Sequence, residues 1–154
     1  QHLPNIPNSP DFFGDQVQID EEMNIIYEEP RLLTSALDVN IGTIASKVKS
    51  LNGIFIPAHI DKPKYSVISQ LGFIPFDIDY DAVEISEHGN RKEIIQQQPY
   101  LFNRTFIRSS DAHFPDKIGT VTCYFEMETR SFNEIRKALH HEEGRAVHLE
   151  IEKK

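Results

Sequence analysis

The chain has no tryptophan, two methionines and a single cysteine among its 154 residues. One cysteine excludes an intrachain disulfide and a cysteine-based zinc cluster. Any metal must then be bound through nitrogen and oxygen donors. Cys123 itself lies in the apolar run 120–125 and reads as a small packed residue. No apolar run approaches the roughly 20 residues needed to cross a bilayer, so no membrane is expected as a partner. Positive charge is also scarce: 16 Lys and Arg stand against 24 Asp and Glu, for a net charge of −8. Sequence-independent binding to nucleic acid needs a basic face, so nucleic acid is not expected as a partner either. These features suit a cytoplasmic globular chain, and 154 residues suffice for one domain with a real core.

What is present is an alternation of elements. Residues 1–14, with spaced prolines and asparagines, read as irregular. Residues 16–19 and 24–27 read as two short strands around the charged turn Asp20-Glu21-Glu22. Pro30 suits the first turn of a helix through Leu37. Asn40 is placed to cap a second helix whose Ile41, Ile44, Ala45, Val48 and Leu51 share a face, with Gly53 as its stop. From there the pattern predicts a strand at 54–56, a helix at 66–71 and a strand at 82–85. A helix at 90–98, a strand at 105–108 and another at 120–125 follow. Ser131 with Glu134 three residues on has the form of a capping box; the helix it opens precedes a last strand at 145–151. Such alternation argues for an α/β fold with a largely parallel sheet or barrel. Residues 1–39 form a less distinctive leading segment, and 40–154 carry the βα units.

The chemistry gathers in two tracts. Pro57-Ala58-His59 follows the apolar run Ile54-Phe55-Ile56, and Ser109-Ser110-Asp111-Ala112-His113 follows Thr105-Phe106-Ile107. Each places metal-ligand side chains where a buried strand ends, the usual position of catalytic groups in α/β proteins. In an extended segment side chains two apart point the same way, so Asp111 and His113 can face one ion. Carboxylate with imidazole suits Zn, Mn or Fe rather than Ca. The plainer alternative is a solvated aspartate and packed or surface histidines. Lys62, Lys64 and Arg108 adjoin the tracts and are candidates to meet a phosphate, with His88 as a candidate proton donor; Glu84 stands between a site role and solvent. A serine-hydrolase reading of Ser109 and Ser110 fails, because no Gly-x-Ser-x-Gly elbow is present. His140 and His141 close a helix, where a cation suits the dipole.

The tracts 56–59 and 109–113 resemble the third and fourth motifs of the polymerase and histidinol phosphatase (PHP) superfamily. The strand Asp81-Ala82-Val83-Glu84-Ile85 resembles that family's intervening stretch, and Asp116-Lys117-Ile118-Gly119 leads into the next strand as in many members. The resemblance spans roughly residues 40–150. It implies a distorted (β/α)7 barrel with two or three divalent metals, Mn, Zn or Fe, at the C-terminal ends of the strands. It also implies hydrolysis of a small phosphorylated substrate, a nucleotide or a sugar or amino-alcohol phosphate, by a metal-activated water. On this resemblance His59, Asp111 and His113 are metal ligands, with Asp111 and His113 serving catalysis.

The family's N-terminal His-x-His pair is missing, and the strands are too few for a whole barrel. The expectation is therefore the C-terminal part of a longer PHP-type chain, in agreement with a first residue that is not Met. Such a piece is expected to be inactive alone and to seek partners through exposed sheet edges, by homo-oligomerisation or strand exchange. Two alternatives stay open: a PHP-like binding or structural module without catalysis, and a metal-dependent hydrolase of another barrel superfamily.

Overall fold

The computed structural model describes residues 2–149. The chain divides into two compact units, Gln1–Ile44 and Ala45–Lys154, and each is described by itself.

In the first unit, α1 (Pro10–Phe13) is a single turn, and β1 (Val17–Ile19) pairs antiparallel with β2 (Ile25–Glu28). The charged turn between them forms as expected. The Asp20 carboxylate accepts from the amides of Glu22, at 3.0 Å, and Asn24, at 2.8 Å. The Gln16 side chain staples the unit, donating to the carbonyls of Glu29 and Arg31 and accepting from the amide of Leu33. The helix expected from Pro30 to Leu37 is absent. Arg31 instead bridges to Pro7, and the Leu32 amide donates to the Ile6 carbonyl at 2.8 Å, which takes backbone groups a helix would use. None of residues 2–44 is fully buried.

The core lies in the second unit. Its centre is a parallel pair, β3 (Val83–Ile85) and β4 (Phe106–Arg108), with Val83, Ile85 and Phe106 buried. Residues 54–57, expected as a strand, run extended beside β3. The amides of Asp81 and Glu84 donate to the carbonyls of Phe55 and Pro57, at 2.9 and 3.0 Å. Around this centre lie α2 (Ile41–Ser50), α3 (Val67–Leu71), α4 (Arg91–Gln97) and α5 (Phe132–His140). The predicted cap at Asn40 forms, its Oδ1 accepting from the Thr43 amide; Ser66 Oγ and Asn90 Oδ1, at the first positions of the helices expected at 66–71 and 90–98, act as caps too, accepting from the amides of Ser69 and Lys92. Gly53 ends α2, and a Cβ there would lie 2.7 Å from Val48 Cγ1.

Two expectations are corrected. Among the described residues each sheet has two strands and no barrel forms, so the structure is a small mixed α/β fold. The late strand at 120–125 shortens to β5 (Tyr124–Glu126), which pairs antiparallel with β6 (Ala146–His148). The reversal begins at the left-handed residue His141 and is pinned by Arg145. The Arg145 side chain binds Glu134 at 2.8 Å and also Glu128, bringing the start of β6 to the end of β5. Glu134 therefore completes only half of the expected capping box. Its amide donates to Ser131 Oγ, but its carboxylate accepts from Arg145 and from the Glu128 amide. The part of the last expected strand beyond residue 149 lies outside the described residues. No helix among the described residues is long and apolar enough to cross a membrane.

Candidate active site

Register sets the position of the two tracts. Glu84 stands opposite Ile107 and Ile85 opposite Arg108, so β3 and β4 end level with each other. The segments that follow, 86–90 and 109–113, leave from the same sheet edge, and 57–59 passes the same end of β3. Glu84 ties the tracts together. One carboxylate oxygen accepts from the His59 amide at 3.2 Å, and the other accepts a short hydrogen bond from Ser109 Oγ. His59 and Asp111 both adopt left-handed backbone angles, φ 28° and 46°. Such conformations are uncommon for residues other than glycine, and surrounding structure must hold them.

The second tract and residues 61–63 open onto a cavity of about 660 Å³ whose lining includes Asp61, Lys62, Ser86, His88, Asp111 and His113 but not His59. Lys62 Nζ lies 2.5 Å from Asp111 Oδ2, and His113 Nε2 lies 3.8 Å from Asp111 Oδ1. The hydrogen-bonded Lys62 ammonium holds the Asp111 carboxyl below its usual range, against the opposing effect of burial. The imidazoles of His59 and His113 pull in the same direction as Lys62. His59 Nδ1 is buried and has no hydrogen-bond partner. A buried ring nitrogen without a partner is costly, and a bound cation would relieve that cost.

These donors fit a divalent metal of the N/O-binding class, but they are not drawn in around one point. No group of three or more His, Cys, Asp or Glu positioned to hold a metal ion occurs among the described residues. The ammonium of Lys62 already engages the carboxylate such an ion would use. Among the other predicted residues, His88 lines the cavity rim. Lys64 is exposed and lines neither this cavity nor its neighbour. Arg108 is turned to the Gly89 carbonyl, which accepts from its Nη2 at 2.7 Å.

Sequence reasoning missed Asp61. Its carboxylate accepts from the Ser86 amide at 2.7 Å and from Ser86 Oγ at 2.5 Å, which fixes the loop leaving β3 against the loop leaving residues 57–59. Gly89 packs so closely there that a Cβ would lie 2.8 Å from Asp61 Oδ2 and 2.8 Å from Ile85 Cβ. The available signal was an aspartate two residues beyond His59, which looked like an ordinary loop residue.

Residues 102–143 match the family described as PHP-associated, in accord with the resemblance carried by the two tracts. No curated protein gives a significant sequence match. The fold is shared with a lesion-specific endonuclease, PfuEndoQ, from Pyrococcus furiosus. That match has a TM-score of 0.64 and 24% identity over 72% of this chain and 29% of the endonuclease chain. It is shared equally with Endonuclease Q in complex with a 27-mer duplex substrate bearing an abasic lesion at the active site. There the TM-score is 0.63, with 23% identity over 71% of this chain and 29% of the other. The chain thus spans less than a third of the length of either relative. The likeness overturns the expectation that nucleic acid is no partner for such a chain, because one of these relatives is seen holding a duplex. Net charge averages over a whole surface, whereas a phosphate meets only the few groups lining a cleft.

Proposed function

We propose, from the premise that residues 102–143 make this a PHP-related chain, that it is part of a metal-dependent phosphoesterase acting on phosphodiester bonds of nucleic acid. The observation that carries this reading is the meeting of two ligand-bearing tracts at the level ends of a parallel strand pair. Lys62 stands between them, in a fold shared with a lesion-specific endonuclease. A duplex in place of the small phosphorylated substrate is favoured by that likeness.

His59, Asp111 and His113 would hold the metal. When bound, a divalent cation supplies charge stabilisation for phosphate oxygens and lowers the pKa of a coordinated water. The chain's own residues do the rest. Glu84 holds the His59 and Ser109 ends at a fixed separation. Lys62, on the cavity wall, supplies positive charge beside Asp111 that a phosphate oxygen can also use. His88, which lines the cavity, would hold a proton for the leaving oxygen.

The test is fluorescence anisotropy of a labelled duplex carrying an abasic site, with and without Zn²⁺ or Mn²⁺. Binding that rises with metal and falls in Asp111→Ala and His113→Ala is expected. Binding indifferent to both metal and substitution contradicts the proposal.

The Lys62–Asp111 pair favours a second reading, a PHP-like module that binds without catalysis, since a resident ammonium already neutralises the carboxylate. The two readings part on Lys62→Met. Removing a competitor raises metal affinity, whereas a module with no metal role shows no metal binding in either form.

A further inference from the structure

The negative charge of the chain is not spread along it. Residues 1–44, the first compact unit, hold eight Asp and Glu against Arg31 as their one Lys or Arg, and so carry −7 of the net −8. The residues that follow are close to neutral, at −1. Arg31 is itself engaged inside the unit, its Nε donating to Glu29 at 2.8 Å. Glu21 and Glu22, in the turn of the β1–β2 hairpin, and Glu28, at the end of β2, stay exposed.

The same hairpin is apolar on both faces. An antiparallel sheet with one face on a core and one in water alternates apolar with polar residues. In β2, Ile25, Ile26 and Tyr27 are consecutive, and they are 67, 58 and 52% exposed. Successive side chains of a strand point to opposite faces, so each face of β2 presents apolar surface. Val17 and Ile19 of β1 are exposed as well. The turn adds Met23, 73% exposed, with a φ of 68° where glycine or asparagine is usual. The Asp20 carboxylate, bonded to the amides of Glu22 and Asn24 on either side, holds Met23 in that position. Apolar surface of this kind rimmed by charge marks an interaction site.

Charge selects the occupant. A second copy of the hairpin would bring a further −7 to the contact, and nucleic acid or anionic lipid would be repelled in the same way. A polypeptide that is both apolar and cationic satisfies the two features at once. We propose that the β1–β2 hairpin docks a basic amphipathic segment of another protein. Its apolar residues cover Ile25, Ile26 and Tyr27, and its Lys or Arg side chains meet Glu21, Glu22 and Glu28. The docking surface uses no residue of the cleft and does not depend on the phosphoesterase reading.

Fluorescence anisotropy of a labelled Leu/Lys peptide of about five helical turns with one apolar face, titrated with the whole chain, tests this. A Ser/Lys peptide of equal charge and a Leu/Glu peptide of the same pattern are the comparisons. The Leu/Lys peptide is expected to bind about tenfold or more tightly than either, and to bind about tenfold more weakly to Ile26→Ser and to Glu21→Lys. Glu21→Lys leaves the apolar faces untouched and keeps the test open if Ile26→Ser disturbs the hairpin. Glu142→Lys makes the same change in net charge at an exposed position after α5 and should leave binding within about twofold. Nitrogen-15 correlation spectra should show the peptide shifting the amides of 17–28. No binding of the Leu/Lys peptide overturns the proposal, and so does equal binding of the Ser/Lys peptide. An equal loss in Glu142→Lys and Glu21→Lys would reduce the effect to net charge and overturn it too. Shifts confined to residues outside 17–28 contradict the placement, and self-association of the chain that Ile26→Ser abolishes would make the occupant a second copy instead.

Discussion

At Asp111 one carboxylate faces a lysine and two histidines drawn from two separate tracts. The ion pair with Lys62 is partly exposed, and such pairs contribute roughly 0–1 kcal/mol. Lys62→Met should therefore raise Zn²⁺ affinity by only about two- to fivefold in calorimetric titration. Unchanged or weaker binding would show that Lys62 does not compete with a cation there. Glu84 is a different case, since its single carboxylate joins the backbone of one tract to the side chain of the other. Glu84→Ala is expected to cost about 1–3 kcal/mol in denaturant unfolding and to weaken metal binding as well. Loss of stability with intact metal affinity would make Glu84 a fold residue alone. The position of Asp111 and His113 beyond the end of β4 was legible from sequence, because the short apolar run before them reads as a strand. The partners of Glu84, in β3, and of Asp61, in a loop, were not legible, because a carboxylate reveals its acceptor role only once two distant segments are brought together. Arg108 illustrates the converse: adjacency in sequence suggested a phosphate contact, and tertiary packing turned it onto Gly89.

At the scale of elements, most helices could be read ahead because their caps are local. Asn40, Ser66, Asn90 and Ser131 each bond an amide two or three residues on. The strands were read less well, since their pairing depends on residues far along the chain. The antiparallel β5–β6 pair is set by Arg145 reaching Glu134 and Glu128, and nothing in the local pattern encodes that choice. The Arg145 guanidinium, helped by the Glu128 amide and Lys137, holds the Glu134 carboxyl down to about 2 from an ordinary 4.5. A depressed carboxyl stabilises the fold fully above its unfolded value, and that stability is lost as pH falls from about 4.5 to about 2. Glu134→Gln should thus be clearly less stable than the parent at pH 7, with the gap closing across that window in urea titrations at stepped pH. A gap that stays constant to pH 2 would contradict the ion-pair account. Between β3 and α4, Gly89→Ala forces a Cβ against Asp61 and Ile85. It should lower stability by about 1–3 kcal/mol, and a neutral result would mean this packing yields easily.

For the whole molecule, the net charge of −8 and the single lysine lining the cleft act at different ranges; Lys62 stands there among Asp61, Glu87 and Asp111, so a bound divalent cation has to supply most of the charge a phosphate meets. Exposed charges more than about 8–10 Å away are largely screened at physiological salt, so a few well-placed cations can hold a phosphate on an acidic protein. Few contacts imply a shallow salt dependence. The logarithm of duplex affinity should fall with slope about −0.9 per phosphate neutralised, and loss of Lys62 should reduce that slope by about one. The chain shares its fold with the endonuclease over 72% of its length, and the two tracts meet at one end of the parallel pair without a closed barrel among the described residues. The central proposal is that a bound ion draws His59, Asp111 and His113 together from two loops, since among the described residues they do not stand as a ready-made group of three. Calorimetric Zn²⁺ titration of the parent chain beside His59→Ala, Asp111→Ala and His113→Ala tests it most directly. The account predicts binding by the parent and a loss of about tenfold or more in each variant. Equal Zn²⁺ affinity in all four proteins would contradict it.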